Sequence, residues 1–165
     1  MTISVRLARP GDEREILRLV RALADYEHEP HSVKATEEGL AAKLFCDHPQ
    51  VFAHMAELDG RTVGIAVWFL NFSTWTGRHG IYLEDLFVEP EMRGAGVARA
   101  LFKALAEEAK RRDCTRIDWQ VLDWNELGKG LYRRLGAWHN KSWEPWRLDG
   151  DALAALQDQR GVTSI

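Results

Sequence analysis

The sequence predicts an α/β domain built on a mixed sheet, and three observations carry that reading. Apolar residues switch between a period of two and a period near 3.6 in the order strand, two helices, three strands, helix, strand, helix, strand pair, the pattern of helices packed on a sheet. Thr62 to Leu70 is apolar on both faces, with Val63, Ile65, Val67 and Phe69 alternating against Gly64, Ala66, Trp68 and Leu70, so it belongs at the centre of that sheet. A loop of small residues from Arg93 to Ala98 sits at the carboxyl end of a strand, the edge where open α/β sheets bind ligands.

The first strand, Thr2 to Leu7, alternates Ile3 and Val5 against polar neighbours and stops at Pro10-Gly11. Asp12 then reads as an N-cap with Glu15 three residues on, opening a helix whose stripe is Ile16, Leu19, Val20 and Leu23 and which runs to about Tyr26. Glu27 to His31 is a polar loop around Pro30. The second helix starts near Thr36, places Leu40, Ala41, Leu44 and Phe45 on one face, and ends before Pro49. Val51 to Leu58 and Thr62 to Leu70 form a hairpin on Asp59-Gly60, a dipeptide suited to tight turns. Asn71 to His79 reads as a loop into the strand Gly80 to Val88.

Beyond the small-residue loop, Val97, Ala98, Leu101, Phe102, Leu105 and Ala109 make one face of a long helix. Its basic end, Lys110-Arg111-Arg112, suits the negative helix terminus and reads as solvated surface. Arg116 to Leu122 predicts another strand, and a shorter helix carrying Leu127, Leu131, Tyr132 and Leu135 is closed by Gly136. Strands near Trp138 and Trp146 and a helix around Ala152 to Leu156 complete a single domain over residues 1–165, without linker or repeat.

A chain of 165 residues, 45% hydrophobic, is long enough to bury about 70% of its unfolded surface. A formal charge of −3 gives no general drive toward nucleic acid or anionic membrane, so phosphate binding has to be local. Cys46 and Cys114 lack the spacing of a disulfide framework or a zinc site and read as reduced, mostly buried thiols. Without a signal segment or a bilayer-length apolar run, a soluble cytoplasmic protein is expected. Buried packing is the expected role of most of the seven tryptophans.

Small residues in Arg93-Gly94-Ala95-Gly96-Val97-Ala98 let the backbone turn sharply, and the N–H groups of the following helical turn have no partners within the helix. That combination is a candidate phosphate cradle, although it has neither the Gly-Lys-Ser/Thr of a Walker loop nor the glycine spacing of a dinucleotide fold. Glu84, in an apolar strand, can accept a proton from an ammonium group directly or through water, or can pair with a cation of the fold; alternation sends Asp85 to the opposite side. Tyr132 can protonate a departing thiolate, since a phenol of pKa about 10 is a competent donor to a thiolate whose acid lies near 8.5, or can be a core tyrosine. Asn125 can cap its helix or bind an amide-bearing ligand. The histidines are scattered, so no metal site is expected, and no Ser or Cys motif supports covalent catalysis.

The pattern Arg-x-x-Gly-x-Ala after an apolar strand resembles the acyl-CoA loop of the GNAT superfamily of N-acetyltransferases. Tyr82 to Val88, Arg93 to Gly96, Asp123 to Glu126, Leu131 to Ala137 and Ala24 to Glu27 together resemble the diamine acetyltransferase family, and Ser73-Thr74-Trp75 with Val121 to Asn125 is closer to its thialysine-acetylating branch. The resemblance implies a GNAT-like mixed, mostly antiparallel twisted sheet flanked by helices, with acetyl-CoA as cosubstrate. It implies that Leu86, Phe87 and Val88 offer backbone to pantetheine and the acetyl carbonyl, and that Arg93, Gly94, Ala95, Gly96, Val97, Ala98 and Arg99 hold the pyrophosphate. Asn125 and Glu126 match cofactor-side positions, Tyr132 matches the general acid, and Tyr26, Glu27 and Glu84 match the amine site.

Direct transfer to a small primary amine in a ternary complex is the implied reaction, and homodimers are usual in the family. Thr74 stands where the polyamine branch carries an acid, and Leu127 where a proline is usual, differences that bear on acceptor choice. Two other readings stay open on the residues: an acyl-CoA-binding sensor without chemistry, and an enzyme that acetylates protein amines.

Overall fold

The computed structural model describes residues 2–158, and the chain divides after Trp124 into two compact units. The first contains β1 (Ile3–Leu7), α1 (Glu13–Tyr26), α2 (Glu37–Leu44), β2 (Val51–Leu58), β3 (Arg61–Ser73), β4 (Arg78–Val88), a 3-10 turn (Pro90–Met92), α3 (Val97–Arg111) and β5 (Ile117–Asp118). The sheet order is β1-β2-β3-β4-β5, with every pairing antiparallel except β4 with β5. This is the mixed, mostly antiparallel sheet expected. β3 occupies its centre, with Ile65, Ala66 and Trp68 fully buried, because a strand apolar on both faces is stable only where both are covered.

Ile16 and Leu19 of α1 and Leu44 of α2 pack with Met55, Ile65, Val67 and Phe87 on one face. Each such aliphatic side chain contributes about 1.5–3 kcal/mol by leaving water. α3 covers the other face: a Cβ on Gly64, which alternates with Ile65, would lie 3.3 Å from Val97. Val97, Leu101, Phe102, Leu105 and Ala109 are buried as the helical spacing predicts, while Ala98 is half-buried. Asp59 and Gly60 both adopt positive φ, 50° and 85°, the geometry a two-residue hairpin of this twist requires. Thr36 caps α2 through a bond from Gly39 N–H at 3.1 Å.

Several expectations are corrected. The stretch 71–79 is mostly strand, since Asn71–Ser73 pair with Arg78–Gly80 and only 74–77 turn; paired backbone outweighed its loop-like composition. Asp12 sits at the N-cap without capping, because its carboxylate is taken by Arg6 at 2.6 Å and by the Arg9 N–H at 2.8 Å. The ladder of β5 is two residues rather than the seven from Arg116 to Leu122, since β4 loses its regular register at Glu84, just beyond the paired Ile81 and Tyr82. Arg112 is not simply solvated: it pairs with Glu108 at 2.7 Å and lies 4.4 Å from the Phe52 ring centre. Cys46 is exposed, just past the apolar stripe of α2.

The second unit contains α4 (Glu126–Arg134) and α5 (Gly150–Asp158). Asn125 caps α4 by accepting from Gly128 N–H at 2.9 Å, and Gly136, at φ 84°, closes it with Ala137 N–H donating to Tyr132 O at 3.0 Å. The strands expected near Trp138 and Trp146 do not form: residues 138–149 are exposed and take turns and irregular backbone, so large apolar side chains did not bring a sheet edge with them. Trp75, Trp124, Trp138, Trp143 and Trp146 are exposed, so burial is not the usual role of tryptophan here.

Candidate active site

The small-residue loop takes the shape its sequence implies. A 3-10 turn at Pro90–Met92 leads to Gly94 and Gly96 at φ 83° and 90°, and α3 begins at Val97. Residues with a side chain avoid that region of φ, so both glycines are needed for the bend. The first helical bond runs from Ala100 N–H to Gly96 O at 3.0 Å, which leaves the N–H groups of Val97, Ala98 and Arg99 to point out of the helix. Among the described helices α3 alone combines an uncapped start with no acid in its first turn: α2 and α4 are capped by Thr36 and Asn125, while α1 and α5 carry acids there. An anion meets open donors and the positive end of a helix dipole at α3, with no resident carboxylate to displace. A pyrophosphate fits these residues.

β4 is irregular just ahead of this loop. Asp85 pairs with Val67 and Leu83 with Trp68, so Glu84 is the extra residue of a bulge. On its other edge β4 pairs with β5 at Ile81 and Tyr82, and among the described residues Leu83 to Val88 have no ladder partner there. Leu86, Phe87 and Val88 can therefore present backbone to an extended amide-bearing ligand. Val88 O also accepts a 3.4 Å bond from Arg93 Nε.

The bulge changes where the carboxylates go. Glu84 is exposed and Asp85 is half-buried, yet the two interact, together with Glu27 at the end of α1. Burial, then the charges of Glu84 and Glu27, push the Asp85 carboxyl up to about 6. Burial also raises Glu27. None of the three has an ion-pair partner among the described residues. Strand alternation had sent Asp85 away from Glu84, and for that reason sequence reading missed it; an acid pair inside an apolar strand was the available signal.

Aromatic groups gather at the end of α1, on either side of Glu27 in the chain. Tyr26 and Trp124 rings lie 5.7 Å apart, His28 lies 5.4 Å from Trp124, and the Arg93 guanidinium sits 4.8 Å over the Tyr26 ring. Arg93 thus gives its backbone to the phosphate loop and its side chain to Tyr26. Trp124 and His28 were not singled out from sequence as site residues.

The chain matches the acetyltransferase (GNAT) family over residues 16–137. It belongs to that family. The thialysine N-epsilon-acetyltransferase of Sus scrofa is 37% identical to this acetyltransferase over 94% of its chain and 97% of the relative. The L-ornithine N5-acetyltransferase of Arabidopsis thaliana is 28% identical over 92% and 86%. An integron cassette protein from the mobile metagenome of V. cholerae superposes with a TM-score of 0.80 at 25% identity, over 96% of this chain and 99% of that one.

The protein is an N-acetyltransferase, and members of the family generally use acetyl-CoA. In its second unit, Tyr132 is half-buried on α4, the Asn125 amide oxygen is occupied by the cap, and Glu126 pairs with Lys129 at 3.0 Å. No helix among the described residues is long and apolar enough to cross a membrane.

Proposed function

We propose that this acetyltransferase moves the acetyl group of acetyl-CoA onto the primary amine of a small cationic acceptor, a thialysine- or lysine-like amino acid or a short diamine. The observation that carries the reading is the cluster of Glu27, Glu84 and Asp85, acids that meet no cation among the described residues and whose mutual repulsion an ammonium group relieves. Similarity to enzymes named for thialysine and ornithine supports the same class. Thr74 adds no further negative charge at the 74–77 turn, which favours short acceptors over long polycations.

Acetyl-CoA supplies the activated thioester. The loop from Arg93 to Arg99 holds its pyrophosphate, with the N–H groups of Val97, Ala98 and Arg99 as the open donors, Leu86 to Val88 align its pantetheine arm, and Asn125 and Glu126 belong to the cofactor side by family resemblance. Tyr26 and Glu27 orient the acceptor. Glu84 or Asp85, directly or through water, takes a proton from the ammonium, because only the free amine carries the lone pair that attacks the thioester carbon. Asp85 suits that work better, since a base near pH 6 is ready at neutral pH yet basic enough to accept.

As the C–N bond forms, an N–H near Phe87 or Val88 stabilises the oxyanion; the C–S bond then breaks, Tyr132 protonates the thiolate, and the proton the new amide nitrogen sheds restores the phenol through water. The enzyme works as a homodimer in the cytoplasm, in keeping with the resemblance. Thiol release from acetyl-CoA with a panel of thialysine, lysine, ornithine, diamines, spermidine and a lysine peptide tests the function. Amine-dependent release led by short cationic amines is expected. Tight CoA binding without release from any acceptor indicates a sensor, and a peptide outperforming every small amine indicates a protein acetyltransferase.

A further inference from the structure

The chain leaves β4 at Glu89, between Val88 and the turn that opens the phosphate loop. Its backbone is fixed on both sides, with Glu89 N–H donating to Val63 O and Met92 N–H donating to Glu89 O, each at 2.9 Å. Its carboxylate, 13% exposed, takes a different guanidinium on each oxygen. Arg18 of α1 donates Nη1 to Oε1 at 2.7 Å, and Arg61, at the start of β3, donates Nη2 to Oε2. Arg18 is itself held by Glu15 at 2.9 Å and by Thr62 O at 3.2 Å. One carboxylate therefore joins a helix, the start of the central strand and the end of β4 at the point where the loop departs.

Past Arg93, which bonds Val88 O and sits over the Tyr26 ring, the loop has little of its own to hold it in place. A Cβ at Gly94 would meet nothing within 4 Å, one at Gly96 would touch only Ile3 at 4.0 Å, and the bond closing the turn, from Ala95 N–H to Met92 O, is long at 3.4 Å. Its shape has to be imposed from its ends. α3 fixes the far end, and the near end is Glu89.

We propose that Glu89, held by Arg18 and Arg61, is a positioning residue that sets the coenzyme loop in its binding shape. The inference rests on the reading of Arg93 to Arg99 as the pyrophosphate cradle. Glu89 touches no ligand itself; it transmits the rigidity of α1 and β3 to donors that hold an anion only when their directions are fixed. Arg18 is the dominant partner, because it is better shielded and has two further anchors, whereas Arg61 is mostly exposed and its pair is screened by salt.

Glu89→Gln, Arg18→Met, their double variant and Gly96→Val test this, with calorimetric CoA affinity and steady-state kinetics read well below each melting temperature. Glu89→Gln is expected to raise both the CoA Kd and the acetyl-CoA KM about fivefold, with kcat and the amine KM within twofold of the parent, a loss typical of slightly misdirected binding groups. Arg18→Met is expected to do the same, and the double variant to be no worse than either single one. A lower melting temperature with unchanged CoA affinity would make Glu89 a structural residue only and overturn the proposal. If Glu89→Gln binds CoA normally while Gly96→Val does not, the cradle stands and the positioning role falls. If neither variant changes CoA affinity, the cradle reading falls as well.

Discussion

Replacing Asp85 by Asn should stabilise the protein and slow it at once. The carboxyl lies at about 6 in the folded chain against 3.8 for an unperturbed aspartate, driven first by burial and then by Glu84 and Glu27. Below about pH 4 the folded and unfolded chains both hold the proton, so Asp85 is neutral at no net cost to stability. Between about pH 4 and 6 the folded chain keeps a proton the unfolded chain has lost, and stability falls as pH rises through that window. Above it the folded state carries a disfavoured charge whose cost, at 1.36 kcal/mol for each pH unit of displacement, is about 3 kcal/mol.

An uncharged Asn of nearly the same shape removes that cost. For a chain of this length about 3 kcal/mol corresponds to a ceiling of roughly 6–12 °C in melting temperature. Calorimetric or circular-dichroism melts of parent and Asp85→Asn at pH 8, 6 and 4 give the assay, and the variant should melt several degrees higher at pH 8 with the gap closing toward pH 4. The parent should also lose kcat/KM below about pH 6 as Asp85 takes up its proton, a limb the variant lacks, with turnover at pH 8 lower by about 10²-fold or more. A variant that melts lower than the parent at pH 8, or a gap that does not change with pH, would refute the account of Asp85 as a buried, repelled charge.

Three further outcomes follow from the same geometry. Glu84→Gln removes one of the two charges that raise Asp85, so the acid limb of the pH profile should move to lower pH, whereas an unmoved limb would break the link between the two acids. Tyr132→Phe should lower kcat by about 10²–10⁴-fold with CoA affinity unchanged, the loss of a general acid, and unaltered turnover would remove that role. Gly96→Val places a β-branched residue at φ 90°, a strain of about 1–3 kcal/mol, and should weaken CoA binding at least tenfold by calorimetry; equal affinity would contradict the cradle.

The sheet was legible because its strands are apolar in a way that leaves few alternatives. A run such as Val63 to Phe69, hydrophobic on both sides, has only the centre of a sheet to go to, and Asp59-Gly60 specifies its own turn. The bend of the small-residue loop was legible for a similar local reason, since positive φ at Gly94 and Gly96 is written into residue type. What period and composition could not give was anything decided by a distant partner. Asp12 was drawn from its capping role by Arg6, β5 was cut short where β4 bulges at Glu84, and exposed Trp138 and Trp146 looked like strand residues only because they are large and apolar. Asp85 is the consequential case, because a strict two-residue alternation has no term for a bulge.

In the proposed mechanism that bulge also lets donor and acceptor chemistry share one strand. A regular β4 would carry its ladder through to Val88 on both edges and hold Glu84 and Asp85 on opposite faces. Adding one residue against the Val67–Trp68 step lets the chain do otherwise on both counts. Ahead of the bulge, Ile81 and Tyr82 keep β5 in register; behind it, the edge from Leu86 to Val88 is open to a ligand and the two acids interact with each other and with Glu27. Negative charge is thereby concentrated a few residues before the loop proposed to hold the pyrophosphate. Arg93, the first residue of the loop, turns its guanidinium back over Tyr26 and donates Nε to Val88 O, which keeps its positive side chain against the end of β4. On the proposed reading the acids draw in an ammonium while the open N–H groups of Val97, Ala98 and Arg99, at the other end of the same short stretch of backbone, take an anion.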